Sequence, residues 1–131
     1  MEPSIFTRII SGDIPSHKVY EDDKTFAFLD IHPVLPGHTL VVPKAQVDRL
    51  EQLDDDDYVA LMLTVKKVMR RLVEVYGPDY RACVRVWGFD VPHAHVQIIP
   101  TRNPKDVLAP NDMTAEPDHA ALAAEAAKIA F

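Results

Sequence analysis

Two periodicities divide the chain. From Asp54 to Tyr76, apolar side chains recur every three or four residues, at Tyr58, Leu61, Met62, Val65, Met69, Leu72 and Tyr76. Lys66, Lys67, Arg70, Arg71 and Glu74 fill the other side. This is the pattern of a long helix with one buried face, and Gly77-Pro78 ends it. Ser4 to Ser11 repeats the spacing in a shorter span with Ile5, Phe6, Ile9 and Ile10, closed by Gly12. Between and after these lie short β-rich runs at Val19-Tyr20, Thr25–Ile31, His38–Val42, Arg81–Trp87 and Val91–Pro100. An acidic turn and Pro33, Pro36, Gly37 and Pro43 punctuate them. Gly88-Phe89-Asp90 is too short for a crossover, so the last two strands should be antiparallel neighbours. Thr101 to Thr114 is proline-rich and polar and predicts a surface loop. Glu116 to Ala130 is an alanine-rich, weakly amphipathic helix that must dock to be stable. Together these runs predict an α+β domain over residues 1–131: a five-stranded antiparallel meander sheet with one long helix and short terminal helices.

One strand is unusual. In Val91-Pro-His-Ala-His-Val-Gln-Ile-Ile-Pro100, His93, His95, Gln97 and Ile99 fall on one face and Ala94, Val96 and Ile98 on the other. Two imidazoles and a carboxamide form a polar ridge that folding alone gives no reason to place there. Neutral imidazole keeps its lone pair near pH 7, where amines are protonated, and is a competent nucleophile. To attack phosphorus it needs its other nitrogen held by an acceptor, donors for the phosphate oxygens, and a proton for the leaving group. A His-x-His strand also matches two zinc ligands, or two structural histidines.

Composition narrows the classes. At 131 residues, 47% hydrophobic and 26% charged, the chain has the make-up of a globular protein. Its net charge of −6 disfavours binding to a nucleic-acid polymer, which needs a basic field. No apolar run approaches a membrane span, and Met1 to Ser4 lacks the basic segment and apolar core of a signal peptide. The expectation is therefore a cytoplasmic protein without membrane attachment. Cys83, the single cysteine, reads as an inert buried thiol. The run Asp54-Asp55-Asp56-Asp57 reads as a helix N-terminus, since no glycine marks a calcium loop. His17, His32 and His119 read as solvated side chains.

The ridge carries a resemblance. VPHAHVQIIP is similar to the His-φ-His-φ-His-φ-φ signature of the histidine triad superfamily, φ being apolar, with Gln97 in place of the third histidine. Ile5-Phe6, Ile9-Ile10, Ile14-Pro15, Tyr20-Glu21-Asp22-Asp23, Ala27-Phe28, Asp30-Ile31, Pro33, Pro36, His38, Leu40-Val41 and Pro43-Lys44 follow the order of its small dimeric branch. The resemblance runs from Ile5 to Pro100 and leaves Asn103 to Phe131 unmatched. It implies that His95 attacks an α-phosphate and becomes nucleotidylated, that His93 buttresses the site, and that His38 packs beside them. It further implies that Asp30 grips the ribose hydroxyls, that Ile5, Phe6, Ile9, Phe28 and Ile31 wall the nucleobase, and that the chain forms a homodimer to which Trp87 or the Ala-rich tail contributes. The partner implied is a small nucleotide, and the chemistry hydrolysis through a nucleotidyl-histidine, with no cofactor.

The chain also departs from the pattern. Gln97 cannot protonate a leaving group but can donate to a phosphate oxygen; glutamine at this place resembles the transferase and phosphorylase branches. The connection before the signature is short, and Asp90 stands where a hydroxyl is usual, a repulsive neighbour for phosphate unless compensated by Arg85 or Arg102. Zinc-carrying relatives have cysteines at the places of Ser4 and Thr7 and a histidine at that of Gln46, so no metal is expected. Three readings stay open: a nucleotide hydrolase, a nucleotidyltransferase or phosphorylase, and a nonenzymatic nucleotide-binding module.

Overall fold

The computed structural model describes every residue except Ala109. The first helix, α1 (Ile5–Ser11), is capped by the Ser4 hydroxyl at the Thr7 amide, and Gly12 closes it in the left-handed region. Strands β1 (Lys18–Glu21), β2 (Thr25–Leu29) and β3 (Thr39–Pro43) follow, then α2 (Asp55–Tyr76), β4 (Arg81–Arg85) and β5 (Val96–Thr101). A short α3 (Pro104–Val107) and a C-terminal α4 (His119–Ile129) end the chain. The acidic run acts as expected: Asp54 caps α2 at the Asp57 amide, with three more carboxylates in the first turn facing the positive end of the helix.

All pairings in the five-stranded sheet are antiparallel, in the order β1-β2-β3-β5-β4. The meander holds through β3. Beyond it β5 lies next to β3 and β4 takes the edge, so the ridge strand is flanked on both sides. The predicted ridge strand begins later than the sequence suggests. His93 and His95 lie just before β5, where the Ala94 amide donates to the Val47 carbonyl instead of to a sheet neighbour.

Two apolar clusters sit on opposite faces of the sheet. The larger one packs Ala27, Leu29, Val41, Val96 and Ile98 against Leu61, Val65, Val68 and Leu72 of α2 and Leu122, Ala126 and Ile129 of α4. The alanine-rich helix thus docks intramolecularly. The Phe131 amide donates to the Val19 carbonyl, and Arg71 Nε donates to the Ile129 carbonyl at its C-terminal end. The smaller cluster joins Phe6 of α1 to Phe26 and Phe28 of β2 and Leu40 and Val42 of β3. Residues alternate across each strand, so Asp30, His38 and Gln97 share the parity of this second face.

Gly37 sets the loop that delivers His38. Its φ is +88°, and a Cβ there would stand 2.7 Å from the Tyr76 hydroxyl and 2.9 Å from Pro100 Cγ. Left-handed strain and overpacking each cost about 1–3 kcal/mol. Gly37→Ala is therefore expected to lower unfolding free energy by about 2 kcal/mol or more in urea titrations; a loss below about 0.5 kcal/mol would contradict this packing.

Candidate active site

Sheet register places the polar residues. Phe28 faces Leu40, Leu40 faces Gln97 and Gln97 faces Arg85, giving one row across β2, β3, β5 and β4. His38 enters the row diagonally from just before β3, and Asp30 from just after β2. The Asp30 amide donates to the His38 carbonyl, closing the connection between those strands.

Hydrogen bonds fix the state of each imidazole. His93 is fully buried. Its Nε2 lies 2.7 Å from the Pro43 carbonyl, which can only accept, so that nitrogen carries the proton. Its Nδ1 then accepts from Ser4 Oγ at 2.7 Å. His95 Nδ1 lies 2.7 Å from the His93 carbonyl and must donate to it. The lone pair of His95 is therefore on Nε2, which among the described residues has no hydrogen-bond partner and is not sealed from solvent. Only 5% of His95 is exposed, with the edge of its ring against Phe6 at a centroid distance of 5.0 Å. The ring sits on the face opposite α2, outside the larger core. In the third imidazole, His38 Nδ1 accepts from the Val34 amide at 3.1 Å, so Nε2 donates to Gln97 Oε1 at 2.9 Å.

Burial holds His93 below the ordinary imidazole value, with the His95 ring adding to the effect and the Pro43 carbonyl opposing it. Burial also lowers His38, against the pull of the Asp30 carboxylate and the Gln97 bond, and Arg85 reinforces it. Groups harder to protonate when folded bind fewer protons in the native state than in the unfolded state. Their stabilisation is complete above about pH 6.5 and is lost as pH falls through the interval below it. Urea midpoints should therefore drop between pH 7.5 and pH 5, before the carboxylates titrate, and less steeply in His93→Gln. A flat wild-type profile would contradict buried neutral histidines.

The two Asp30 oxygens have different partners. One oxygen caps the following turn, accepting from the His32 amide at 2.8 Å. The other lies 3.7 Å from His38 Nε2 and accepts from Asn111 Nδ2 at 3.3 Å. Phe6 and Phe28 pack edge-to-face at 5.5 Å, with Ile9 against them. Ile5 and Ile31 are largely exposed and stand outside both clusters.

Several expectations are corrected. Arg102 lies over the Tyr80 ring and is not brought to the ridge. Arg85 is at the ridge, donating to Gln97 Oε1 through Nη2 at 2.7 Å and Nε at 3.2 Å. Asp90 is exposed, where solvent screens its charge. Cys83 is only half-buried. His17 and His119 bond each other at 3.0 Å on the exposed surface, in keeping with solvated side chains, whereas His32 is partly buried with an unpartnered Nδ1. The stretch expected to be a surface loop contains α3 and carries Asn111 into the site, where it also donates to the His32 carbonyl at 2.6 Å. Asn111 had no sequence signal, because a lone asparagine in a polar loop has no periodicity to betray a contact 81 residues away.

The side chains at the places where zinc-carrying relatives have ligands bond one another. Thr7 Oγ1 donates to Gln46 Oε1 at 2.6 Å, the Ser4 amide donates to the same oxygen at 2.9 Å, and Ser4 Oγ reaches His93. Two hydroxyls, an amide and one imidazole are a poor donor set for zinc, which takes thiolate and imidazole at structural sites. Their mutual bonds already satisfy them. The residues do not fit the metal.

Comparison with known proteins places the chain in a family. The HIT domain family matches residues 11–104. The chain belongs to the HIT domain family. It is 42% identical over 99 residues to an uncharacterised HIT-like protein of Methanocaldococcus jannaschii, covering 73% of this chain and 77% of that one. It is 36% identical over 103 residues to an adenosine 5'-monophosphoramidase of Schizosaccharomyces pombe, covering 76% and 74%. A Hit-like protein of Bartonella henselae superposes with a TM-score of 0.78 at 30% identity, over 96% of this chain and 93% of that structure. The five-stranded α+β architecture is thus the HIT fold, as the histidine signature implied.

Proposed function

We propose that the protein is a nucleotide hydrolase that cleaves at the α-phosphate of a nucleotide derivative through a nucleotidyl-His95 intermediate. The observation that carries this reading is the tautomer of His95: its Nδ1–H is held by the His93 carbonyl, leaving the Nε2 lone pair for phosphorus. His93 is anchored by Ser4 and Pro43 and acts as the rigid mount. Asp30 and His38 take the ribose end, and Ile5, Phe6, Ile9, Phe28 and Ile31 the base. In the first step Nε2 forms a bond to phosphorus while the bond to the leaving amine breaks, the amine taking a proton from solvent and departing as neutral ammonia. Water then cleaves the N–P bond and restores imidazole. The similarity to an adenosine 5'-monophosphoramidase makes adenosine 5'-phosphoramidate the substrate to try first.

The test is incubation with that compound. Ammonia and AMP should appear together, and intact mass after a neutral quench should show a nucleotidyl adduct of one AMP per chain. Absence of both product and adduct would reject the reading. Gln97 favours a second reading, in which inorganic phosphate and not water accepts the nucleotidyl group. ADP formed in phosphate buffer at the expense of AMP would select it.

We also propose a homodimer. β4 is an open sheet edge, and Val84, Val86 and Trp87 on or beside it are exposed, as are Val59 and Leu63 of α2, an apolar surface suited to a second copy. Light scattering behind a sizing column should give twice the 14.7 kDa chain mass; a monomer at micromolar concentration would exclude it.

A further inference from the structure

Three N–H groups converge on one oxygen. Gln97 Oε1 receives His38 Nε2, Arg85 Nη2 and Arg85 Nε at 2.9, 2.7 and 3.2 Å. An arginine can only donate, and His38 Nε2 must donate because its Nδ1 accepts from Val34. The atom they share must be the carbonyl oxygen, so amide orientation at Gln97 follows from chemistry and not from the resemblance of O and N. Gln97 itself is 5% exposed. Its Nε2 has no hydrogen-bond partner among the described residues, and it is not sealed from solvent. The carboxamide thus presents two N–H donors and no acceptor to whatever occupies the site.

Arg85 is itself fixed. Nη2 also donates to Asn111 Oδ1 at 3.1 Å, Nη1 donates to the Val107 carbonyl at 3.5 Å, and the guanidinium lies 6.0 Å from the centre of the Trp87 ring. All three of its nitrogens are engaged, so it is poorly placed to swing onto a ligand. We propose that Arg85 is a positioning residue that locks Gln97 as a donor-only group for a non-bridging phosphate oxygen, so that an Arg–Gln pair replaces the third imidazole of the signature. The inference rests on the proposed reaction for its substrate, but the lock itself does not. Its positive charge also disfavours protonation of neighbouring His38, while the Val34 amide at Nδ1 keeps the single proton on the nitrogen that donates to Gln97.

A double-mutant cycle tests the assignment. With adenosine 5'-phosphoramidate, Arg85→Ala should lower kcat about tenfold or more with KM changed less than about threefold, and Arg85→Lys should recover only part of this, since an ammonium cannot bond bidentately. In a Gln97→Ala background the same Arg85→Ala change should shift kcat less than about threefold, because its route of action is gone. Equal losses in both backgrounds would overturn the proposal. Side-chain amide spectra of ¹⁵N-labelled protein provide a readout independent of turnover. The Gln97 NH2 pair, assigned by its disappearance in Gln97→Ala, should move toward free-glutamine positions in Arg85→Ala. An unmoved pair in a folded variant overturns the lock whether or not the wild type is a hydrolase. Absence of wild-type turnover with a shifted pair would reject the reaction alone.

Discussion

Replacing His95 with alanine should reduce hydrolysis of adenosine 5'-phosphoramidate by at least about a thousandfold while AMP affinity stays within about threefold. The asymmetry follows from the role proposed for the ring. A nucleophile whose bond forms in the transition state contributes little to ground-state binding, so its loss falls on kcat. A thousandfold corresponds to about 4 kcal/mol of activation free energy, and removal of a covalent nucleophile commonly costs more. The geometry admits no obvious substitute. His93 has both nitrogens committed, to Ser4 and Pro43, and His38 has both committed, to Val34 and Gln97. Calorimetric titration with AMP and initial-rate kinetics on the same preparation check both halves. The nucleotidyl adduct should vanish with the activity. Turnover surviving within tenfold would mean that phosphorus is attacked by water directly, leaving His95 a wall residue beside Phe6.

The fold was legible wherever one face of an element is buried. α2 carries its apolar residues at helical spacing because it covers the sheet, and Leu61, Val65 and Leu72 of the predicted face are buried, while Thr64 and Val68 are buried beside them without having been on it and Tyr58 is exposed. β2, β3 and β5 are buried on both faces, so their sequences read as apolar runs and their ends are blurred. Hence the alternation puts the start of the ridge strand at Val91, whereas its ladder begins at Val96. Strand order was harder to read. The pairing of β4 with β5 was expected from a three-residue link, although residues 86–95 separate them, but the insertion of β5 beside β3 depends on contacts such as Leu40 with Gln97, which no local pattern encodes.

The site divides in the same way. His93, His95 and Gln97 are neighbours in sequence and announce themselves by alternation. His38 and Asp30 were reachable only through family resemblance, since a histidine or aspartate at a strand end has ordinary reasons to be there. Arg85 was a candidate cation, yet its bonds to Gln97 depend on the β4–β5 register. Asn111 was invisible.

Converting Ser4 and Thr7 to cysteine and Gln46 to histidine should turn the hydrogen-bonded cluster beneath His93 into a tetrahedral zinc site. Ser4 Oγ and Thr7 Oγ1 already lie 2.7 Å and 3.5 Å from His93 Nδ1, and Gln46 Oε1 lies 2.6 Å from Thr7 Oγ1. Ser4 Oγ and Thr7 Oγ1 are 3.2 Å apart. With Zn–S near 2.3 Å and Zn–N near 2.0 Å, the edges of a tetrahedron are roughly 3.3–3.8 Å, so the cluster must open by about 0.5–1 Å. Loss of the Thr7 methyl makes room. The Pro43 carbonyl already accepts from His93 Nε2–H, the outer bond that orients a zinc-ligating imidazole through Nδ1. Two thiolates and two imidazoles form a closed structural set, whereas the present donors do not. The triple variant should retain one zinc per chain after dialysis, give tetrahedral cobalt(II) absorption on substitution, and lose thermal stability when a chelator is added. At free zinc a hundredfold above Kd the stabilisation would be about 2.7 kcal/mol, against no chelator effect in the wild type. Because zinc would hold His93 by the nitrogen that Ser4 now holds, the carbonyl orienting His95 should stay in place and turnover should persist within about tenfold. A folded triple variant that takes up no more metal than wild type would mean that the four side chains converge on hydrogen bonds too tightly for a metal to part them.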